Sequence, residues 1–367
     1  MKHFGNFVAL LILAVNALFT GFLLLVAYSP YIQPTSHPVQ SCFGLAFPVF
    51  ALINGGFLIF WLVIQRYKTA LLPLVGFLLC YSQLRTYLPL NFHTSNLPEK
   101  SIKFLSYNIM GFDGANKRNG KNPILTYLKE SNADILCLQE YASDESHRHL
   151  TQKDIERELK DYPYHRINVV GSGGSGYSNK IACYSKFPIL SARVLNYTSN
   201  YNGSVLYELK LDEDTITLIN NHLESNKLTK TDKDIYEDML KAPEKEKVKS
   251  GARLLVRKLA EASAIRAPQA DTIAKEIASS RHPSIIVCGD FNDTPISYTH
   301  RVIAQNLNDA FTQSGRGLGV SYNQNKFYFR IDNILISKNL QSYNCTVDQS
   351  IKESDHYPIW CYIAKRQ

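Results

Sequence analysis

The sequence predicts an α/β fold, a sandwich of two packed β-sheets with peripheral helices, preceded by an N-terminal unit of transmembrane helices. Three observations carry this expectation. Apolar residues concentrate in the first ninety of the 367 positions. Short strand-like runs recur from Ile102 to Ile363, with helical patterns mostly early or peripheral. Acids, amides and imidazoles stand where several of those runs stop, as after Ser284-Ile285-Ile286-Val287.

The first unit, residues 1–90, reads as a membrane anchor of two to three helices. Phe7 to Tyr28 and Phe43 to Ile64 carry no charge and are long enough to cross a ~30 Å hydrocarbon core at ~1.5 Å per residue. Thr69 to Leu84 is uncharged but shorter, and crosses only if Arg85 snorkels outward. The first run exceeds a signal-peptide core of ~7–15 residues and no small-x-small cleavage site follows it, which favours an anchor. Lys2, Arg66 and Lys68 fall at one side of these segments, whereas Ser29 to Ser41 has no Lys or Arg. The positive-inside rule then places the N-terminus in the cytoplasm; three spans put the C-terminal domain on the extracytoplasmic face of the cytoplasmic membrane, two would keep it inside, and the third segment decides between them.

A polar, Pro-containing stretch, residues 91–101, reads as a linker, and residues 102–367 as the second domain. Ile102–Ile109 is strand-like; Asn122 and Pro123 supply an N-cap and first turn for a helix to Glu130; Ile135–Leu138 is strand-like again. Further strands are expected at 180–184, 205–211, 215–221, 284–288, 330–336, 343–347 and 359–363. Residues 227–258, with ten Lys/Arg and six Asp/Glu, form a charged helical excursion continuing through Leu259–Ile277. It is either a solvated face or a lid over a substrate or a membrane surface. The run Gly171-Ser172-Gly173-Gly174-Ser175-Gly176 lacks the Lys-Ser/Thr ending of a phosphate-cradling loop and reads as a flexible connection.

The net charge of +8 divides evenly, five Lys/Arg against one Asp/Glu up to residue 100 and 35 against 31 beyond it, too mild to argue nucleic-acid binding. Seven cysteines show no C-x-x-C spacing, so a zinc site is not expected; Cys137, Cys183 and Cys288 read as buried thiols. Cys345 and Cys361 fall on two C-terminal strands and are able to pair in an oxidising compartment if their Cα atoms approach.

Phosphate ester hydrolysis needs a hard cation, a base for water and donors for the developing charge. Glu140, after the run Leu136-Cys137-Leu138-Gln139, suits an oxygen ligand to Mg²⁺, with Asn108 beside it. Asp290 and Asn292, two apart, share a face if the chain stays extended, a base with an orienting amide. Asp332 and His356 suit a carboxylate–imidazole pair, Asp355 a metal or water ligand, and His222 a second imidazole for phosphate or the leaving oxygen.

With Ser106-Tyr107-Asn108-Ile109, Leu138-Gln139-Glu140, Asn220-Asn221-His222-Leu223, Gly289-Asp290-Phe291-Asn292, Arg330-Ile331-Asp332 and Ser354-Asp355-His356 in order, residues 102–363 resemble the endonuclease/exonuclease/phosphatase superfamily, the DNase I-like enzymes. The resemblance implies a four-layer α/β sandwich with mixed sheets and Mg²⁺ or Mn²⁺ at Glu140, with Asn108 and Asp355 nearby. It implies water activated by Asp290, phosphate oriented by Asn292, and His356 with Asp332 at the transition state. Asn220 and Arg330, inside the motifs, are candidate substrate contacts. His222 stands where abasic-site endonucleases carry a Tyr-containing motif, which is similar instead to the nuclease, sphingomyelinase and phosphatase branches. The expected function is a membrane-anchored phosphodiesterase acting on nucleic acid, a phospholipid headgroup or a small phosphate ester, with the bilayer as its other partner and no protein partner indicated. The alternative is a membrane scaffold or binding protein that keeps the fold without turnover.

Overall fold

The structure, a computed structural model, describes residues 2–113, 121–143, 150–171, 179–241, 244–324 and 327–366. Most of the glycine–serine run, residues 172–176, lies outside the described residues.

The chain opens with α1 (Lys2–Tyr28), and a connecting segment containing the short helix α2 (Pro38–Ser41) leads to α3 (Phe47–Val63), α4 (Tyr67–Leu79) and α5 (Tyr81–Tyr87). α1 and α3 are antiparallel. Arg66 donates to Asn6 Oδ1 at one end, Trp61 Nε1 to Asn16 Oδ1 further in, and the Thr20 hydroxyl to Asn54 Oδ1 beyond that. α4 runs back beside α1, whose Tyr28 hydroxyl donates to the Leu79 carbonyl. A Cβ on Gly76 would lie 2.7 Å from the Thr20 methyl, so its absence sets how closely α1 and α4 approach. Asn16 and Asn54 are thus packing residues whose polar atoms are satisfied within and between helices. Two helical stretches, Gly5–Tyr31 and Pro38–Val63, are long and apolar enough to cross a membrane; Tyr67–Leu79 is shorter.

The rest is built on two mixed sheets. The first joins β1 (Ile102–Asn108), β2 (Ile135–Gln139), β3 (Tyr164–Val170) and β4 (Asn179–Ser185) to β11 (Leu340–Val347) and β12 (Ile359–Lys365), in the order β11-β12-β1-β2-β4-β3. The second joins β5 (Ile189–Val194), β6 (Gly203–Leu211), β7 (Asp214–His222), β8 (Ile285–Asp290), β9 (Leu307–Asp309) and β10 (Asp332–Ser337), in the order β5-β6-β7-β8-β10-β9. Strand alternation sends successive side chains to opposite faces. Phe104, Cys137 and Cys183 therefore meet Tyr207, Leu218, Ile286 and Cys288 between the sheets, while Leu105, Leu136, Val287 and Leu335 face outward.

Helices cover both outer faces. After the turn α6 (Met110–Asp113), α7 (Pro123–Glu130) and α8 (Gln152–Glu158) pack on the first sheet through Ile124, Leu128 and Ile155. α7 starts where Asn122 caps it, its side chain accepting from Leu125 N, with Pro123 in the first turn. The charged excursion forms α9 (Lys230–Lys241) and the start of α10 (Lys245–Ala278), whose Ala267, Ala270 and Ile273 close the second sheet with α11 (Tyr298–Ile303). α12 (Ala310–Ser314) follows β9. Cys345 and Cys361 lie on neighbouring strands as free, buried thiols.

One ion pair ties the helical region to the sandwich. Arg330 Nη1 lies 3.2 Å from Asp309 Oδ2, both buried, and Arg330 Nη2 donates to the Thr86 carbonyl of α5. Burial raises the Asp309 carboxyl, but the charges of Arg330 and His300 outweigh it and hold it well below the usual carboxylate range. A carboxyl depressed by folding stabilises fully above its unfolded value near ~4 and loses that contribution as pH falls through its folded value. Thermal melting is therefore expected to show steeper acid destabilisation in the natural chain than in Asp309→Asn. Arg330→Met, which strands the buried carboxylate, is expected to cost about 3–5 kcal/mol at neutral pH.

Candidate active site

Strand register assembles one half of the site. β8 pairs in parallel with β7 and antiparallel with β10, so His222, Asp290 and Asp332 stand on one row across the second sheet. Gly289 makes that pairing possible: its φ is +119°, and a Cβ there would lie 2.0 Å from the Asn221 carbonyl oxygen. The first sheet supplies the other half. Asn108 ends β1, and Glu140 follows β2 with φ 50°, its carbonyl accepting from Gly111 N. The Asn108 amide joins the sheets, Nδ2 lying 3.0 Å from Glu140 Oε1 and 3.2 Å from Asp290 Oδ2.

Both imidazoles are held by a partner at Nδ1 and present Nε2 to Asp290. His356 Nδ1 lies 2.8 Å from Asp332 Oδ2, and its Nε2 3.6 Å from Asp290 Oδ2. His222 Nδ1 faces the Asn179 amide nitrogen at 3.0 Å, and its Nε2 stands 3.6 Å from Glu140 Oε1 and 3.7 Å from Asp290 Oδ2. An amide N–H at Nδ1 selects the tautomer with the proton on Nε2. Burial would push the His356 imidazole down, but the Asp332 and Asp290 charges prevail and hold it well above its ordinary value. Burial raises the Asp290 carboxyl, with Asp332 adding to the shift and both imidazoles opposing it, to about 6. A carboxylate so tuned can take a proton from water near neutral pH.

The chain does not stay extended past Asp290. Phe291 turns into the core, and Asn292 adopts φ 52°, its backbone N–H donating to Asp290 Oδ1 and its amide to Asp290 Oδ2 and the Leu223 carbonyl. Asn292 lines the pocket and also clamps the acid. Asp355 lines the same pocket beside His356. Two expected substrate contacts lie elsewhere. Asn220 shares the face of His222 one pleat deeper, fully buried and bonded to Gln139 and the Ala182 carbonyl. Arg330 precedes β10 and is spent on Asp309 and Thr86, because a buried guanidinium needs a counter-charge more than the pocket can offer one.

The donor set fits a hard divalent cation. Glu140 and Asp290 offer carboxylate oxygens, and Asp290, Asp332 and His356 form a buried group able to hold a metal, with one ligand atom each within 4.8 Å of the others. Asp332 Oδ1 is buried with no hydrogen-bond partner, an acceptor that a cation would satisfy.

These groups occupy one end of a cavity of about 240 Å³. Asn179, which orients His222, carries no sequence signal, since it only begins a strand after the glycine–serine run. Ser321 and Ser354, whose hydroxyls accept from Asp332 N and His356 N, are equally silent in sequence. So are Ser41, Cys42 and Leu45 of the helical region and Arg266 of α10, all in the cavity wall.

Residues 105–356, more than half of the chain, match the profile of the Endonuclease/Exonuclease/phosphatase family. The chain belongs to this family. Residues 9–87 match a domain of unknown function. No curated protein matches the chain. Among solved structures, the chain is similar to an endonuclease/exonuclease/phosphatase from Beutenbergia cavernae, at 12% identity and TM-score 0.51, with 72% of each chain covered. It is also similar to the human Nocturnin catalytic domain with bound sulfate, at 17% identity and TM-score 0.49, covering 74% of this chain and 96% of that one. A D. rerio TDP2 complexed with single-strand DNA product matches at 16% identity and TM-score 0.48, covering 73% and 100%. Family members of this fold are typically metal-dependent phosphodiesterases and nucleases, and the likeness to the Beutenbergia structure extends the agreement to the sandwich itself.

Gly289→Ala is expected to displace Asp290 by pushing β8 from β7. A misplacement near 1 Å costs on the order of 10²-fold in rate, so turnover should fall by at least that much. Asp332→Asn keeps the shape but loses the charge facing His356, and its kcat is expected to drop by about 10²–10⁴-fold with thermal stability retained.

Proposed function

We propose that this protein is a membrane-anchored phosphodiesterase dependent on a divalent cation, Mg²⁺ with Mn²⁺ as substitute, and that water is its nucleophile. The observation that carries the reading is the convergence of Glu140, His222 and His356 on the buried Asp290 carboxylate through 3.0–3.7 Å contacts from both sheets, directly or through Asn108.

A cation held by Glu140, with Asn108 and Asp355 close by, would supply positive charge for the phosphoryl oxygens. Asp290 accepts a proton from water as the new O–P bond forms and one ester P–O bond breaks. His356, kept in line by Asp332, and the Nε2–H of His222 donate hydrogen bonds to oxygens that gain charge, and the leaving oxygen takes its proton from the His356 imidazolium. The products are a phosphomonoester and an alcohol. Nucleic acid, phospholipid headgroups and small phosphate esters all present this linkage.

The helical region supports anchoring. Leu10, Leu52, Ile59, Val63, Leu71 and Leu78 are exposed on α1, α3 and α4, far more apolar surface than a soluble monomer usually shows. The turn bearing Arg66 and Lys68 lies at the α1 N-terminus, and the sandwich packs at the opposite end, where Pro30 and Thr86 bond to Arg301 and Arg330. α4 and α5 together bring the chain back to that end, which agrees with three spans and an extracytoplasmic sandwich.

Full-length protein in detergent is expected to hydrolyse bis(p-nitrophenyl) phosphate with added Mg²⁺, to lose that activity in EDTA, and to lose it by about 10²–10⁴-fold in Asp290→Ala. Asp290-dependent turnover removes the scaffold alternative; turnover unchanged in Asp290→Ala contradicts the reading.

A further inference from the structure

The active-site cavity is closed on one side by the helical region. Ser41, Cys42 and Leu45, from the segment joining the two long apolar helices, line it together with Tyr322 and Phe327. That segment is docked closely on the loop following the catalytic acid: a Cβ on Gly44 would lie 2.0 Å from the Ile296 carbonyl oxygen. Ser41 bonds to Ser263 of α10, Arg301 Nε donates to the Pro30 carbonyl, and the Arg301 guanidinium sits 4.8 Å from the Tyr31 ring centroid. Ile296 itself belongs to the apolar cluster of Leu23, Ala27 and Phe47 at the helix ends.

If α1 and α3 cross a bilayer, residues 29–46 lie at its boundary with water, so one wall of the cavity is a membrane-surface element. The surroundings suit that position. Leu45, Leu259, Ile296, Phe329 and Ile331 add apolar surface to the cavity lining. On α10, Arg253 and Arg257 flank Pro38 and Val39 of the same segment, where their charge can meet lipid phosphates.

We infer that the segment between the two long helices is the specificity wall of the site, and that the substrate is a bilayer glycerophospholipid, its phosphodiester at Asp290 and its apolar body along that wall. This inference rests on the phosphodiesterase reading above. Water would attack phosphorus and one of the two ester P–O bonds would break, releasing a phosphomonoester and an alcohol.

The test uses the full chain reconstituted with phosphatidylcholine–phosphatidylglycerol vesicles. It compares kcat/KM on the vesicle lipid with that on the deacylated glycerophosphodiesters, on single-stranded DNA and on bis(p-nitrophenyl) phosphate. The expected result is a lipid rate at least about 10²-fold above the deacylated diesters and DNA, the scale on which remote binding energy raises turnover. Leu45→Asp and, separately, Gly44→Ala should lower the lipid-to-bis(p-nitrophenyl) phosphate ratio at least about tenfold, equivalent to ~1.4 kcal/mol. Leu45 is half-buried, so its variant keeps the test available if Gly44→Ala misfolds. Turnover of the chromogenic diester without lipid preference, a preference for DNA, or a ratio unchanged in Leu45→Asp overturns this inference alone. Absence of chromogenic turnover overturns the hydrolase reading and this inference with it.

Discussion

The buried Asp290 carboxylate is the constraint around which the catalytic end of the molecule is arranged. A charge this deep is costly unless donors and counter-charges meet it, and here they come from both sheets: the Asn108 amide, the Asn292 backbone and side chain, and two imidazoles. Each donor depends on a different structural condition. Asn108 requires the sheets to face each other, Asn292 requires the chain to turn left-handed after the strand, and the imidazoles require the β7–β8–β10 register that Gly289 permits. Burial and the Asp332 charge raise its affinity for a proton, and the donors and imidazoles that make the carboxylate tolerable in the interior limit that rise.

The second supported charge, Asp309 with Arg330, performs a different task. It lies at the junction of sandwich and helices and fixes α5 through the Thr86 carbonyl. Together with the Gly44–Ile296 approach, it makes the helical region part of the protein's framework and not a tether behind a flexible linker. Asn91 and Thr94 of the stretch expected to be a linker also bond to Gly315 and Asn344 of the sandwich.

Much of this was legible in the sequence, for identifiable reasons. Strands buried on both faces, such as β2, β8 and β10, are continuous apolar runs bounded by polar residues, so both their positions and the candidates Glu140, Asp290 and Asp332 stood out. The strands that escaped notice, β3, β5 and β9, are edge strands; β3 and β5 leave much of one face to solvent, so no buried periodicity marks them. The motif around Asp290 suggested an extended dipeptide step, whereas the positive φ of Asn292 is invisible to spacing. Arg330 showed that a motif residue can be structural, because its counter-charge, Asp309, comes from a strand too short to read. Asn179 and the wall formed by Ser41, Cys42 and Leu45 depend on long-range docking, which local patterns do not encode.

The proposed attack of water on phosphorus at Asp290 is tested most directly by a single turnover of a phosphodiester by full-length protein in heavy-oxygen water with Mg²⁺, the products read by mass spectrometry. The expected result is one heavy oxygen in the phosphomonoester and none in the alcohol. Heavy oxygen in the alcohol, or an unlabelled phosphomonoester, would contradict it.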